Sequence, residues 1–353
     1  MIVGTGSYIP DVKIKNENFL LNEFYGKDGK KLGKPNSEII QKFQEITGIK
    51  ERRYVENGQV ASDIGYLAAK DAIESSNIDK ETLDYIIVAH DFGDVKADNR
   101  RSDFVPSISS RIKHELRIKN PKTIAKDIAF GCPGWLQGVI DADYFIKSGD
   151  YKKIMVIGVE TLSRISDPHD IDSMIYADGA GAAILEARES ETPQGILAHA
   201  VRSDTFNEVY YLWMDKSNNP EYLGDDLFLK MEGTKVYKYA VSEVAGVVKE
   251  ALDKAGLTLD DIDKILMHQA NERLDRDVLQ RIYKIYGKTD VDYDKLPITI
   301  SWLGNSSVAT IPTMLDLILK NKLDNHKLKK GDIIVFASIG AGMNINSVVY
   351  RIP

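Results

Sequence analysis

An internal duplication constrains the fold of this chain more than any other feature of its sequence. The segment "KDAIESSNIDKETLDYIIVAH", which begins at Lys70, aligns without a gap with "KEALDKAGLTLDDIDKILMHQ", which begins at Lys249. Each segment has the pattern of an amphipathic helix, a turn, a short acidic stretch and a buried strand. A repeat this far apart is too long for a solenoid. It predicts two fused α/β halves that share one core.

A second pair of segments supports this interpretation. Residues 122–146 and 296–319 each have a strand-like stretch, a break at glycine and then a helical pattern, and Gly131-Cys132 aligns with Gly304-Asn305. Each half then has an apolar strand, "KKIMVIGVE" or "GDIIVFASIG", and a further strand, "GAGAAILEA" or "NINSVVYRI". The polar stretch "RESETPQG" lies near the junction. We therefore predict an N-terminal half at 1–187 and a C-terminal half at 196–353.

Composition and charge exclude several classes of function. A single cysteine excludes an internal disulfide, and no Cys/His spacing is typical of a zinc site. The net charge of -7 and the pI near 5.5 argue against a nucleic-acid binder. No apolar run reaches the length of a membrane helix, and the first residues lack the pattern of a secretory leader. We expect a cytoplasmic protein.

The one cysteine, Cys132, lies where a strand pattern ends and a helix pattern begins, in "DIAFGCPGW". Backbone N–H groups at a helix N-terminus stabilise a thiolate, so this position predicts a lowered thiol pKa. The flanking glycines permit the tight turn that a nucleophile needs. The alternative is a small buried core residue, the usual role of a lone cysteine. The polar Asn305 in the corresponding turn favours an active site.

A cysteine nucleophile needs a proton acceptor or donor close by. His268, in "MHQANERL", lies where an apolar strand meets a polar turn and is the best candidate. His114 and His326 lie in charged stretches, and His90 ends the matching strand of the first half. A single histidine at a strand end is also compatible with a structural role. The combined Cys–His–Asn set favours catalysis.

These motifs resemble those of a known family. "DIAFGCPGW", "MHQAN" and "GNSSVATIP" resemble the three active-site motifs of β-ketoacyl-acyl-carrier-protein synthase III, in the thiolase superfamily. "GTGSYIP", "TGIKERR", "MEGTKVYKYAV" and "YADGAGAAILE" also resemble the family pattern, so the likeness covers essentially the whole chain. The resemblance implies an α/β thiolase-like five-layered αβαβα fold of two duplicated halves. It also implies a homodimer whose active site lies at the end of a tunnel.

The resemblance also implies roles for individual residues. Cys132 would attack an acyl thioester and carry the acyl group. His268 and Asn305 would stabilise the enolate formed when malonyl-carrier loses CO₂. The backbone N–H groups of Cys132 and Ala341 would form an oxyanion hole. Arg273 would meet the acidic acyl-carrier protein, and the family implies no cofactor or metal.

The chain departs from the family where initiating enzymes commonly carry a Trp and an Arg that bind coenzyme A. Lys42 and Ile46 stand at those positions. A flat aromatic stacks on adenine and an arginine meets phosphate, so this departure predicts a carrier-delivered primer. Two polar insertions, 23–36 and 91–103, add to the difference. The second lies near the presumed acyl pocket and predicts a primer other than acetyl.

Other classes of protein explain less of the sequence. Papain-like proteases use Cys, His and Asn in this order, but they have a disulfide-rich secreted context. A non-catalytic partner subunit would not need to retain all three groups. A related condensing enzyme that joins a longer acyl group in a secondary-metabolite pathway remains open. The stretch "GTGS", 4–7, lacks the third glycine of a dinucleotide motif and is interpreted as a turn.

Overall fold

A computed structural model describes all 353 residues of the chain. It contains eight α-helices. They are α1 (Asn36–Thr47), α2 (Ala61–Ser76), α3 (Ile108–Glu115), α4 (Gly134–Ser148), α5 (Gly233–Ala255), α6 (Glu272–Ile285), α7 (Ile300–Leu303) and α8 (Thr310–Leu319). No helix is both long enough and apolar enough to cross a membrane.

The chain also contains fifteen strands, most of them in two central sheets. The strands of the N-terminal part are β1 (Ile2–Tyr8), β2 (Val12–Lys15), β3 (Glu51–Tyr54), β4 (Tyr85–Ala89), β5 (Asp94–Lys96), β6 (Asn99–Asp103), β7 (Ile124–Ile128), β8 (Lys153–Thr161) and β9 (Asp178–Glu186). Those that follow are β10 (Gly195–Ser203), β11 (Leu212–Asp215), β12 (Phe228–Met231), β13 (Lys264–Met267), β14 (Ile333–Gly340) and β15 (Asn344–Arg351).

The two central sheets share one topology. The first has the order β1-β9-β8-β4-β7 and the second has the order β10-β15-β14-β13. In the first sheet β4 runs parallel to β8, and β9 is antiparallel to both of its neighbours. In the second, β13 runs parallel to β14, and β15 is antiparallel to both of its neighbours. The predicted duplication of the fold is confirmed strand by strand, except that β7 has no counterpart.

The repeated segments also match in local detail. Helices α2 and α5 both end at a left-handed residue, Asn77 in the first half and Gly256 in the second. Glycine and asparagine are the residues that adopt this conformation most readily, so each stops its helix. A 3₁₀ turn then follows at Lys80–Thr82 and at Leu259–Asp261, before β4 and β13 respectively. The alignment at one constant offset is therefore structural.

Five layers result from how the helices cover the sheets. Helices α2 and α3 cover the outer face of the first sheet, and α5 and α6 cover the outer face of the second. Helices α4 and α8 lie between the two sheets and contact both. Three apolar clusters of 19, 19 and 23 buried residues fill the spaces between successive layers. The αβαβα architecture is confirmed.

Two local predictions are wrong. The strand expected at the start of 296–319 is instead the short helix α7. The Gln269 side chain accepts the N–H groups of Thr299 and Ile300 at 2.9 and 3.0 Å, so these groups do not pair with a neighbouring strand. The turn expected at 4–7 is part of strand β1. Its glycines serve close packing instead, since a Cβ on Gly6 would lie 2.3 Å from the Ala68 carbonyl oxygen of α2.

Candidate active site

The turn that carries Cys132 joins β7 to α4. Gly131 has φ of +68°, a conformation that suits glycine, and the helix begins two residues after the cysteine. Trp135, in the first turn of α4, is buried between the sheets and donates to the Val156 carbonyl at 3.2 Å. Burying an indole contributes on the order of 5 kcal/mol of transfer free energy. The turn is therefore anchored by the middle layer of the fold.

Asn305 reaches the same place from the C-terminal half. Its backbone N–H donates to the Ile175 carbonyl at 3.0 Å, and its own carbonyl accepts from Ala177 at 2.8 Å. The side-chain Oδ1 accepts the Ser307 N–H at 2.8 Å. With the oxygen engaged, the amide orientation is fixed, and the NH₂ group makes no hydrogen bond to the protein. That NH₂ group is the free donor at this position.

His268 follows the last residue of β13 and is held by a hydrogen bond from its backbone N–H to the Ala337 carbonyl, at 2.9 Å. The imidazole is buried, and its Nδ1 has no hydrogen-bond partner in the protein. Burial lowers the pKa of His268 to about 4, and a backbone contact with Ser307 offsets part of this effect. At neutral pH the ring is therefore uncharged.

Ser307 contacts the nucleophile directly, a role that the sequence did not reveal. Its hydroxyl donates to the Cys132 sulfur at 3.3 Å. The residue has φ of +52°, which is uncommon outside glycine, and the N–H held by Asn305 supports this conformation. The only sequence signal was a second serine in "GNSS", which general turn composition explains equally well.

The predicted lowering of the Cys132 pKa is wrong. Burial raises the thiol pKa to about 12, and the nearby Asp91 and Glu160 carboxyl groups raise it further, while the Ser307 hydroxyl opposes the shift. The helix N-terminus does not outweigh these effects. Cys132 is therefore a thiol in the resting protein and must lose its proton as it reacts.

Two buried carboxyl groups support the nucleophile turn from behind. Asp91 accepts the Gly131 N–H at 2.8 Å, and Glu160 accepts the Asp91 N–H at 2.9 Å. Burial raises the pKa of both carboxyl groups, and the charge of Asp91 raises that of Glu160 further. The second oxygen of Glu160, Oε1, has no partner. The sequence did not identify either residue, since acidic residues at strand ends have no distinctive pattern.

The end of β14 lies directly against the nucleophile turn. A Cβ added to Gly131 would lie 2.7 Å from the Ala341 nitrogen, and one added to Gly340 would lie 2.4 Å from the Cys132 nitrogen. The Cys132 N–H donates to no group of the protein. The two backbone segments that the family resemblance assigns to an oxyanion hole are thus in close contact.

One cavity of about 1160 Å³ brings the predicted residues together. Cys132, His268, Asn305 and Ala341 all line it. Its wall is mainly hydrophobic, with 21 apolar residues among the 36 that line it. Such a cavity is typical of a site that takes an elongated apolar ligand. No group of three or more His, Cys, Asp or Glu residues in the chain could hold a metal ion.

The remaining predicted residues lie toward the surface. Lys42 and Ile46, on α1, are exposed and line the cavity. Trp213 also lines it, with the Lys27 ammonium 5.3 Å from its ring centroid. Arg273 does not line the cavity; its side chain is 70% exposed at the start of α6. The polar insertion 91–103 contributes only its first two residues to the wall, and the rest forms the hairpin β5–β6.

Comparison with known proteins gives one family. Residues 126–205 match the family described as 3-oxoacyl-[acyl-carrier-protein (ACP)] synthase III, and residues 252–352 match its C-terminal domain. The chain is 33% identical over 352 residues to β-ketoacyl-[acyl-carrier-protein] synthase III of Acholeplasma laidlawii (strain PG-8A), covering 99% of this chain and 98% of the relative. It is 32% identical to the enzyme of that name from Ehrlichia canis (strain Jake), covering 100% of this chain and 99% of the relative.

Solved structures agree with these sequence comparisons. The crystal structure of 3-oxoacyl-[acyl-carrier-protein] synthase III from Aquifex aeolicus VF5 superposes with a TM-score of 0.79 at 27% identity, covering 99% of both chains. The priming β-ketosynthase of the R1128 polyketide pathway has the same fold, with a TM-score of 0.77 at 24% identity and 100% and 96% coverage. The chain thus belongs to the 3-oxoacyl-[acyl-carrier-protein] synthase III family of acyl-transferring condensing enzymes.

Proposed function

We propose that this protein joins an acyl primer, carried on Cys132, to malonyl-acyl-carrier protein by decarboxylative Claisen condensation, giving a β-ketoacyl thioester. The observation that carries the proposal is the convergence of a thiol, an uncharged imidazole and a free amide NH₂ on one cavity, from Cys132, His268 and Asn305. This set can form an acyl-enzyme and can then stabilise an enolate.

In the first step the Cys132 sulfur attacks the carbonyl carbon of an acyl thioester. Because the thiol pKa is about 12, the proton must leave as the C–S bond forms, and the uncharged His268 ring is a suitable acceptor in the cavity. The N–H groups of Cys132 and Ala341 would stabilise the tetrahedral oxyanion. Collapse of this intermediate releases the original thiol, which takes up the proton.

In the second step malonyl-carrier enters and loses CO₂. The electron pair of the broken C–C bond forms an enolate, whose oxygen would accept hydrogen bonds from His268 and the Asn305 NH₂ group. The enolate carbon then attacks the acyl-Cys132 carbonyl, and the sulfur leaves as a thiolate, which takes up a proton from solvent and restores the resting thiol as the β-ketoacyl product departs. A mainly apolar wall strengthens these hydrogen bonds because it lowers the local dielectric.

Intact-protein mass spectrometry tests the proposal. Incubation with an acyl thioester is expected to add one acyl mass to the wild type and none to Cys132→Ala. His268→Ala and Asn305→Ala are each expected to slow decarboxylation of malonyl-carrier on the order of 100-fold, the usual cost of losing one oxyanion donor. His114→Ala, a change at an exposed histidine, serves as the control. Acyl labelling that persists in Cys132→Ala would overturn the proposal.

An acyl-carrier protein is the proposed partner. Lys34, Lys42 and Lys238 are exposed and line the cavity, and Glu38, which also lines it, pairs only with Lys34, so the opening carries a net positive charge on a chain that is acidic overall. Arg273 adds a further exposed cation at the start of α6. An acidic carrier would be attracted to such a surface, chiefly through its association rate.

We also propose a homodimer in the cytoplasm. Strand β7 is the edge of the first sheet and pairs only with β4, which leaves a ladder of backbone groups open to a second copy. Val105, 84% exposed, lies just before α3, whose first N–H donates to Asp127 of β7. A chain whose single cysteine is a free thiol is also typical of a reducing compartment. Light scattering in solution would give the mass, and that of a single chain would contradict the dimer.

A further inference from the structure

Two polar side chains in the wall of the cavity have no partner within the protein. Asp172 and Tyr176 both line the cavity, on the segment that joins β8 to β9. No hydrogen bond or ion pair involves the Asp172 carboxyl group. The Tyr176 hydroxyl is buried and likewise has no partner. A buried polar group in a native protein is almost always hydrogen-bonded, so the Tyr176 hydroxyl, with the half-buried and unpaired Asp172 carboxyl group in the same wall, indicates an absent ligand.

The nearby cations do not neutralise Asp172, because each is engaged elsewhere. The Lys230 ammonium is buried and donates to Asp167 at 2.6 Å. Lys27 pairs with Glu232 at 3.1 Å. Asp172 therefore presents a carboxyl group to the cavity without a counter-ion in contact.

The electrostatics link both orphans to the nucleophile. Burial, followed by the charge of Asp170, raises the pKa of Asp172 to about 7, so its carboxyl group is a fully charged acceptor only above neutral pH. Burial also raises the pKa of Tyr176, and the charges of Asp172, Asp170 and Cys132 raise it further. Tyr176 also forms a backbone bridge with Asn305, and Asp172 lies four residues before it in the same segment of the cavity wall.

The remainder of this stretch is apolar. Leu162, Ile171 and Ile175 line the cavity beside the two orphans. An unsubstituted alkyl chain would pack against these apolar residues but would leave both polar groups without a hydrogen bond. An anionic chain would be repelled by Asp172. A chain with one hydrogen-bond donor satisfies these two polar groups as well as the apolar residues beside them.

We propose that the acyl primer carries a hydrogen-bond donor, a hydroxyl or a protonated amine, which binds Asp172 and Tyr176 while its hydrocarbon part packs on the apolar wall. This inference rests on the proposed function, because it names the class of primer that Cys132 receives. Tyr176 both accepts and donates, whereas Asp172 accepts, so a hydroxyl can bond to both. An ammonium group would gain the charge of Asp172 as well.

The test measures the rate of acylation of Cys132 by intact-protein mass spectrometry. The probes are octanoyl-carrier thioester, the same chain with a hydroxyl group at carbon 3, 5 or 8, and the chain with an amine at carbon 8. At pH 8.5, where Asp172 is ionised, the wild type is expected to use at least one donor-bearing chain about tenfold faster than plain octanoyl, the effect of one hydrogen bond to a charged group. The series also separates hydroxyl from amine as the donor.

Three variants and one control isolate the wall residues. Tyr176→Phe and Asp172→Leu are each expected to reduce the ratio of donor-bearing to plain acylation about tenfold. Asp172→Asn keeps an acceptor but loses the charge, so it is expected to reduce the ratio more for the amine than for the hydroxyl. Tyr286→Phe removes another buried, unpartnered hydroxyl, outside the cavity, and should keep the wild-type ratio.

Each outcome decides the inference. Equal wild-type rates for all octanoyl chains would overturn it and leave the proposed condensation intact. If Tyr176→Phe and Asp172→Leu lowered the acylation rate equally for every acyl chain, the donor that these residues bind would lie on the carrier arm that all the probes share. That result would also overturn the inference. If no thioester acylated Cys132, the proposed function itself would be overturned, and this inference with it.

Discussion

The close approach of Gly340 to the nucleophile turn gives a sharp test of the site. Gly340 ends β14 in an extended conformation, with φ of -166°, which alanine adopts without strain. A Cβ there would lie 2.4 Å from the Cys132 nitrogen and 2.7 Å from Pro133 Cδ, whereas ordinary contact begins at 3.4 Å. The effect of Gly340→Ala is therefore steric and acts on the backbone of the nucleophile.

The size of the effect follows from that overlap. The Cys132 turn and the end of β14 must separate by about 1 Å, and a misplacement of about 1 Å in a catalytic group costs on the order of 100-fold in rate. Overpacking of this kind also lowers the free energy of unfolding by about 1–3 kcal/mol. We expect acylation of Cys132 in Gly340→Ala to fall about 100-fold while the protein remains folded.

The assay combines the acylation rate from intact-protein mass with urea unfolding. Gly246→Ala is the matched control, because Gly246 is exposed inside α5 and no atom lies within 4 Å of the added Cβ. That variant should retain the wild-type rate and gain up to about 1 kcal/mol from helix propensity. A Gly340→Ala protein within threefold of the wild-type acylation rate would refute the reasoning.

Three further predictions concern pH, docking and primer delivery. Because burial lowers the pKa of His268 from 6.5 to about 4, the unfolded chain binds a proton that the folded chain does not at pH 4–6.5. The free energy of unfolding should fall by about 3 kcal/mol more in the wild type than in His268→Gln as pH drops from 6.5 to 4, and equal losses in urea denaturation would contradict this. Arg273→Glu should raise KM for the carrier in a salt-dependent way, and an unchanged KM at low salt would count against docking there. With Lys42 and Ile46 in place of the coenzyme-binding Trp and Arg, kcat/KM should be higher for an acyl group on carrier protein than on coenzyme A. If acetyl-CoA is the best primer by a wide margin, and Trp213→Ala abolishes its use, Trp213 supplies the stacking surface and the prediction is wrong.

The sequence predicted those parts of the molecule that local patterns determine. The repeat ending in β4 and β13 could be aligned because helix, stop signal and strand lie within about twenty residues of each other. The convergence of Cys132, His268 and Asn305 followed from their motifs, and the three do line one cavity. These motifs occupy turns at the ends of strands, which periodicity locates well.

Contacts between distant residues explain what the sequence could not reveal. Helix α7 replaces a strand because of a side chain thirty residues earlier, and no local pattern reports such a bond. The raised pKa of Cys132 reflects burial and two carboxyl groups that are far away in the sequence but close in space, and these effects outweigh the local effect of the helix. Asp172 and Tyr176 stand out only when the wall around them and their lack of partners are known.

The backbone pairing of Asn305 with Ile175 and Ala177 has a consequence for how this protein loses activity. Two hydrogen bonds, of 3.0 and 2.8 Å, join a turn of the C-terminal half to the segment just before β9 in the N-terminal half. The nucleophile lies in the N-terminal half, and the imidazole and the amide lie in the C-terminal half, so the site needs both halves. We expect activity to be lost once these two hydrogen bonds break and the halves separate there, even while each sheet keeps its own core. Inactivation on ageing or heating should therefore precede the loss of secondary structure.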